Sequence, residues 1–246
     1  LFPQLVAGPI ERARNMLPQI AAPRLLTRAS AGAGAWLVFW GLYKKIFIAD
    51  NVAIIVDAAF ARSAELTRVE AALALYAFAL QIYADFSGYT DIARGTARLL
   101  GFEFQLNFRR PYLAENPSDF WQRWHISLSS WLRDYLYVPL GGNRSGALAT
   151  YRNLLLTMLL GGLWHGAAWT FVLWGGYHGA LLVVHRLLRP WLARAAGLGD
   201  VPAFFWRWAR RLCWFHLVVL GWLPFRAQSL GQVGDGPDRK FCAVLR

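Results

Sequence analysis

The sequence predicts an all-α, multi-pass helical membrane protein, and three observations carry that expectation. Of the 246 residues, 57% are hydrophobic and only 16% are charged, against about 25% charged in an average soluble domain. The apolar residues gather in runs at roughly 32–60, 71–86, 154–185 and 204–225, and a helix needs about 20 mainly apolar residues to cross a bilayer. The alternating apolar pattern of a membrane β-barrel does not occur, so helices, which satisfy every backbone amide internally, are the expected spanning elements.

The first run, 32–60, is interrupted by Lys44, Lys45, Asp50 and Asp57. Each costs about 2.5–3.5 kcal/mol at mid-membrane on insertion scales, so these charges are expected to face protein, water or headgroups. The second run, 71–86, passes into a polar stretch that holds Gln81, Asp85, Tyr89 and Asp91. Such groups cap a helix, line a wet cavity or contact substrate. The segment between Asn116 and Pro139 reads as one amphipathic helix, with Asn116 as N-cap, Pro117 in the first turn and Asp119 near the positive dipole end. Trp121, Trp124, Leu128, Trp131 and Tyr135 recur along it at spacings of three and four, which suits a membrane interface or a re-entrant position. Pro139 and Gly141-Gly142 end it.

The third run, 154–185, contains no Asp, Glu, Lys or Arg. At about 1.5 Å per residue it is too long for one untilted crossing of a roughly 30 Å core, so it must break at Gly161-Gly162, Gly166 or Gly175-Gly176. The loop around Arg62, Glu65, Arg68 and Glu70 is charge-balanced, whereas 186–211 is heavily basic and is the better cytoplasmic candidate. A membrane domain is expected over 1–230. The polar stretch 231–246, without hydrophobic period, reads as a disordered or truncated tail.

The formal net charge of +12 does not point to nucleic acid, because the basic residues lie between apolar runs and form no single polar face. They read as contacts to bilayer headgroups. Cys213 and Cys242 are too few for a disulfide framework or a cysteine zinc site. The chain starts at Leu1 without Met or a signal-peptide pattern, and a fragment is the simpler expectation.

Three of the five histidines lie in apolar surroundings: His125 in Trp-His-Ile-Ser, His165 in Leu-Trp-His-Gly and His178 in Gly-Tyr-His-Gly. Burial opposes charging an imidazole, and a neutral ring is the state that a general base requires. The bland reading of each is a packed histidine. For His165 the flanking Gly161, Gly162 and Gly166 favour function, since glycine admits a backbone or substrate closely, although it also permits tight helix packing. Arg109 and Arg110 are candidates for phosphate contact or headgroup anchoring. No bound metal is expected: there is no His-x3-His pair, and Asp119 and Asp134 do not fall at helical ligand spacing from His125. Serine-nucleophile elbows, P-loops and dinucleotide fingerprints do not occur.

Four strings together resemble a known family. They are 2–10 (Phe-Pro-Gln-Leu-Val-Ala-Gly-Pro-Ile), 85–91 (Asp-Phe-Ser-Gly-Tyr-Thr-Asp), 119–137, which contains Arg-Trp-His-Ile-Ser, and 161–167 (Gly-Gly-Leu-Trp-His-Gly-Ala). In content and order they are similar to the membrane-bound O-acyltransferases, specifically the bacterial alginate O-acetylation group, over about 1–228. The resemblance implies a ring of tilted transmembrane helices in the bacterial inner membrane, with further helices on both sides of this stretch. It implies His165 as the catalytic histidine and His125 as a second important one. Trp164, Trp124, Asp85, Tyr89, Asp91 and Arg109 are the substrate-side candidates that the residues themselves suggest. The resemblance also implies acetyl transfer from a cytoplasmic donor such as acetyl-coenzyme A, as substrate and not as bound cofactor, to a hydroxyl of an extracytoplasmic polysaccharide or carrier protein. Trp164 and backbone amides near Gly166 are candidate oxyanion donors by position. The rival expectation is a non-catalytic membrane subunit of a polysaccharide export or synthase complex, which requires neither histidine.

Overall fold

The computed structural model describes residues 8–62, 65–196 and 202–227, with the side chains of 195 and 196 outside that set. The expected tail at 231–246, Cys242 and most of the 2–10 string lie outside the described residues. Nine α-helices follow one another with no strand among the described residues: α1 (Ala13–Ala21), α2 (Arg28–Leu42), α3 (Asp50–Ala61), α4 (Arg68–Leu99), α5 (Pro117–Trp121), α6 (Ile126–Leu132), α7 (Gly146–His165), α8 (Trp169–Ala196) and α9 (Ala203–Arg226). Helices α2 and α3 are joined without a break by a π-helical stretch, Tyr43–Ala49, and a second one, Arg133–Tyr137, extends α6.

Helix α4 starts at a capping box, in which the Thr67 hydroxyl accepts from the Glu70 amide and the Glu70 carboxylate accepts from the Thr67 amide. The helix therefore takes in Arg68 and Glu70, expected in a loop, and runs on through the polar stretch 81–91, which caps nothing and lies mid-helix. Its charges are matched from the π-helical stretch: Lys44 pairs with Asp91 at 2.5 Å, and Lys45 reaches both Asp85 at 2.6 Å and Asp50 at 2.8 Å. Asp57 pairs with Arg226 at 2.7 Å. The charges that interrupt the first apolar run thus face protein partners, as expected.

Glycines set how closely the helices approach. A Cβ on Gly41 would lie 2.6 Å from the Gly88 carbonyl oxygen, and one on Gly95 the same distance from that of Gly34, so α2 and α4 run antiparallel with backbones touching at two levels. The third apolar run breaks at Gly166, one of the expected places, into the antiparallel pair α7 and α8. There a Cβ on Gly162 would overlap the Phe171 carbonyl oxygen, and one on Gly175 that of Met158. Helix α9 packs against both α8 and α4. The core between them is aromatic, with Phe120, Trp124, Trp174, Trp214 and Trp222 all buried.

The single amphipathic helix expected over 116–139 is not formed. Its start is as expected, with Asn116 accepting from the Asp119 amide and Pro117 at the first turn, but the helix stops after Trp121 and restarts at Ile126. His125, between the two, has φ 44° and ψ 54°, a left-handed conformation that a residue with a Cβ adopts only when its surroundings impose it. Backbone bonds with the neighbouring segment impose it here: Arg109 N–H donates to Arg123 O at 2.9 Å, and Ile126 N–H donates to Asn107 O at 2.9 Å. The break divides the expected aromatic face. Trp124 turns into the core at 4% exposure, while Trp131 stays on the surface at 39%.

Among the described residues, two helices, Arg68–Leu99 and Trp169–Arg194, are long and apolar enough to cross a membrane. Large apolar side chains also cover outward faces elsewhere, among them Trp36, Phe47, Ile54 and Leu73, each more than half exposed. Apolar exposure on this scale is uncommon on a soluble monomer and fits contact with lipid or further protein.

Candidate active site

His165 is the last residue of α7, placed there because Gly166 ends the helix. Its ring lies among the aromatic rings of Trp164 (5.1 Å between centroids), Trp174 (5.2 Å) and Phe225 (5.2 Å), from α7, α8 and α9. His125 arrives from the other direction, at the break between α5 and α6. Its ring packs edge-on against Phe86 of α4 at 4.7 Å and against Trp164 at 6.1 Å. Trp164 therefore contacts both imidazoles.

Two cavities meet at these histidines. One, of about 380 Å³, opens among α5, α6, α7 and α8, and its wall includes Ser118, Gln122, Ser129, Ser130 and Arg133. The other, of about 580 Å³, opens toward α4 and the π-helical stretch and is lined by Lys45, Asp85 and Tyr89. Trp124, His125, His165 and Trp174 line both. Each cavity is mainly apolar with a few polar groups, the usual make-up of a small-molecule site.

His125 is 4% exposed. Burial first, and the nearby His165 second, disfavour protonation of its ring. Its Nδ1 lies 3.2 Å from the side-chain oxygen of Asn107, which also accepts from the Ser127 amide at 3.1 Å and the Ser127 hydroxyl at 2.9 Å. His178, the third histidine singled out, is wholly buried among Phe120, Trp121, Trp174 and Tyr177 and lines neither cavity, and both its ring nitrogens lack a hydrogen-bond partner among the described residues.

The structure thus gathers His125, His165, Trp124, Trp164, Asp85 and Tyr89 around two adjacent cavities. Asp91 and Arg109 are not brought there. Asp91 is held by Lys44 and, at 3.5 Å, by Arg94, and lines neither cavity. Arg109 is exposed and contributes its backbone to the brace behind His125. Of the backbone amides near Gly166 expected as oxyanion donors, two are engaged, since Gly166 N–H donates to Leu163 O at 3.2 Å and Ala168 N–H to Gly166 O at 2.9 Å. The glycines around His165 serve helix packing more than substrate access: Gly162, Gly166 and Gly175 are filled by the α8 or α7 chain, and Gly161 alone of the four lines a cavity. Sequence reasoning missed Asn107, Trp174 and Phe225. The two aromatics were indistinguishable from core residues, and Asn107 acts across long sequence separations that no local period marks.

This arrangement, with two histidines at the junction of two cavities in an aromatic helical core, coincides with a match to a family model. The model is that of MBOAT, the membrane-bound O-acyltransferase family, and it matches residues 1–221. The chain belongs to the membrane-bound O-acyltransferase family. Among curated proteins it is 46% identical over 230 residues to the probable alginate O-acetylase AlgI of Azotobacter vinelandii, covering 94% of this chain and 44% of that protein. It is 41% identical over 234 residues to the peptidoglycan O-acetyltransferase of Helicobacter pylori, covering 93% of this chain and 43% of that protein. With the teichoic acid D-alanyltransferase of Bacillus subtilis it shares 30% over 241 residues, 91% of this chain and 58% of that protein. The chain therefore spans less than half the length of the first two relatives.

Proposed function

We propose that this chain forms the catalytic centre of a multi-pass O-acyltransferase of a bacterial inner membrane, which moves acetyl groups to an extracytoplasmic acceptor. The observation that carries the reading is the meeting of two separate cavities at His125 and His165. A transferase that takes its donor from one side of a membrane and its acceptor from the other needs such a junction, and a packed histidine does not.

In the proposed reaction an acyl thioester, such as acetyl-coenzyme A, enters by one cavity and a hydroxyl of a polysaccharide or of a carrier protein by the other. The uncharged His165 takes the hydroxyl proton as the oxygen attacks the acyl carbonyl carbon. The carbon–sulfur bond then breaks as His165 returns that proton to the sulfur, and the free thiol leaves. Base assistance of this kind supplies about 10²–10⁴-fold in rate. His125 orients the acceptor or relays the proton, and Trp164 holds the two rings in register. Names that end in O-acetylase, O-acetyltransferase and D-alanyltransferase among the relatives support acyl transfer as the shared chemistry.

The test is transfer of radiolabelled acetyl from acetyl-coenzyme A, supplied on one side of vesicles that hold the full-length protein, to a glycan enclosed on the other. Label on the glycan that depends on the protein supports the reading. Export of polymer with unchanged acetyl content contradicts it.

A further inference from the structure

The side chain of Asn107 is wholly buried, and its oxygen faces three potential donors: the Ser127 amide, the Ser127 hydroxyl and the His125 ring. An amide N–H only donates, so the Asn107 atom at this point is the carbonyl oxygen, whichever way such a side chain is drawn. A nitrogen 3.2 Å from a carbonyl oxygen must carry a hydrogen to attract it. In a neutral ring that places the proton of His125 on Nδ1 and leaves the lone pair on Nε2. The arrangement has a cost, since Asn107 Nδ2 is buried with no partner among the described residues. The same residue also accepts the Ile126 amide at its backbone oxygen, which helps hold His125 in its left-handed conformation.

Resting on the acyltransfer reading above, we propose that Asn107 is a positioning residue: it fixes His125 as the Nδ1–H tautomer and so presents Nε2, the proton-accepting nitrogen, to the reacting groups. The competing arrangement is also visible. Ser127 Oγ lies 3.5 Å from His125 Nδ1, and a hydroxyl donating along that line would need the opposite tautomer. It is the longer of the two contacts, and the Ser127 hydroxyl has the shorter partner, Asn107 Oδ1, at 2.9 Å.

The experiment is nitrogen-15 NMR of histidine-labelled full-length protein in lipid nanodiscs, with the His125 signals assigned by their loss in His125→Gln. Wild type is expected to show a protonated Nδ1 and a pyridine-type Nε2. Asn107→Leu, which removes the acceptor, is expected to lose that preference. Its kcat for acetyl transfer should fall on the order of 10²-fold, the scale of positioned base assistance, with donor KM unchanged. Asn107→Asp keeps an oxygen in place and should restore the protonated Nδ1. Its carboxylate also favours the doubly protonated ring, so turnover should return only as pH is raised. His165, Lys45, Asp85 and Arg133, which line the cavities with His125, are common to all these proteins, and each shift is read against wild type.

A protonated Nε2 in wild type overturns the proposal whatever the variants do. Unchanged kcat in a folded Asn107→Leu overturns it as well. If the wild-type protein transfers no acetyl at all, the acyltransfer reading fails and the role of Asn107 with it, while the measured tautomer stands by itself.

Discussion

His125, at the break between α5 and α6, and His165, the last residue of α7, line the same two cavities and both contact the ring of Trp164. Elements distant in sequence converge there, so replacing either imidazole removes a group from a preformed junction and leaves the helices packed. His125→Ala is expected to lower acetyl transfer by about 10²-fold or more without lowering the amount of protein in the membrane. Transfer assays paired with immunoblots of washed membranes check this.

Integral insertion has its own test. Apolar side chains held in lipid are not released by screening or titrating charge, so the protein should stay in the pellet after high salt and after alkaline carbonate. Quantitative release by either treatment contradicts insertion.

The glycines give a sharper stability test. A Cβ on Gly162 would overlap the Phe171 carbonyl oxygen, whereas one on Gly176 meets only a Leu159 methyl group at 3.6 Å, an ordinary contact. Gly162→Ala should destabilise the α7–α8 pair by about 1–3 kcal/mol, the usual cost of overpacking, and Gly176→Ala should be nearly neutral. Thermal unfolding of both variants in detergent separates them; equal melting temperatures would contradict the packing described.

The two acidic residues of α4 should behave differently. Asp91 is bound to Lys44 with side chains 16% and 12% exposed, whereas Asp85 and Lys45 are 49% and 44% exposed. Asp91→Asn leaves a part-buried ammonium with a weakened partner and is expected to cost roughly 1–3 kcal/mol, below the range for a fully buried pair. Asp85→Asn should leave stability almost unchanged and act, through the cavity it lines, on substrate KM. Melting temperatures alongside KM values decide between these roles.

Much of this was legible in the sequence because it is local. The Asn116 cap, Pro117 at the first turn and the break at Gly166 depend on a few adjacent residues, and the apolar runs fall within helices. The motif histidines, His125 and His165, were also visible, through resemblance. What stayed hidden is long-range. The spacing of Trp121, Trp124 and Trp131 fits a continuous helix, and nothing local announces that residues 107–109 will bond to 123–127 and turn His125 left-handed. Asp91 looked like Asp85 until Lys44 arrived from α2's continuation to claim it. The glycines near His165 read equally as access or as packing, and only the facing helix decides.

The role proposed for His165, general base of the transfer, is tested by the turnover of His165→Ala and His165→Gln at equal abundance in the membrane. A base removed from the reacting centre lowers kcat by at least about 10²-fold, with both variants inserted and melting close to wild type. Near-normal acetylation at equal expression would contradict it, and disappearance of both variants from the membrane would return His165 to the role of a packing residue.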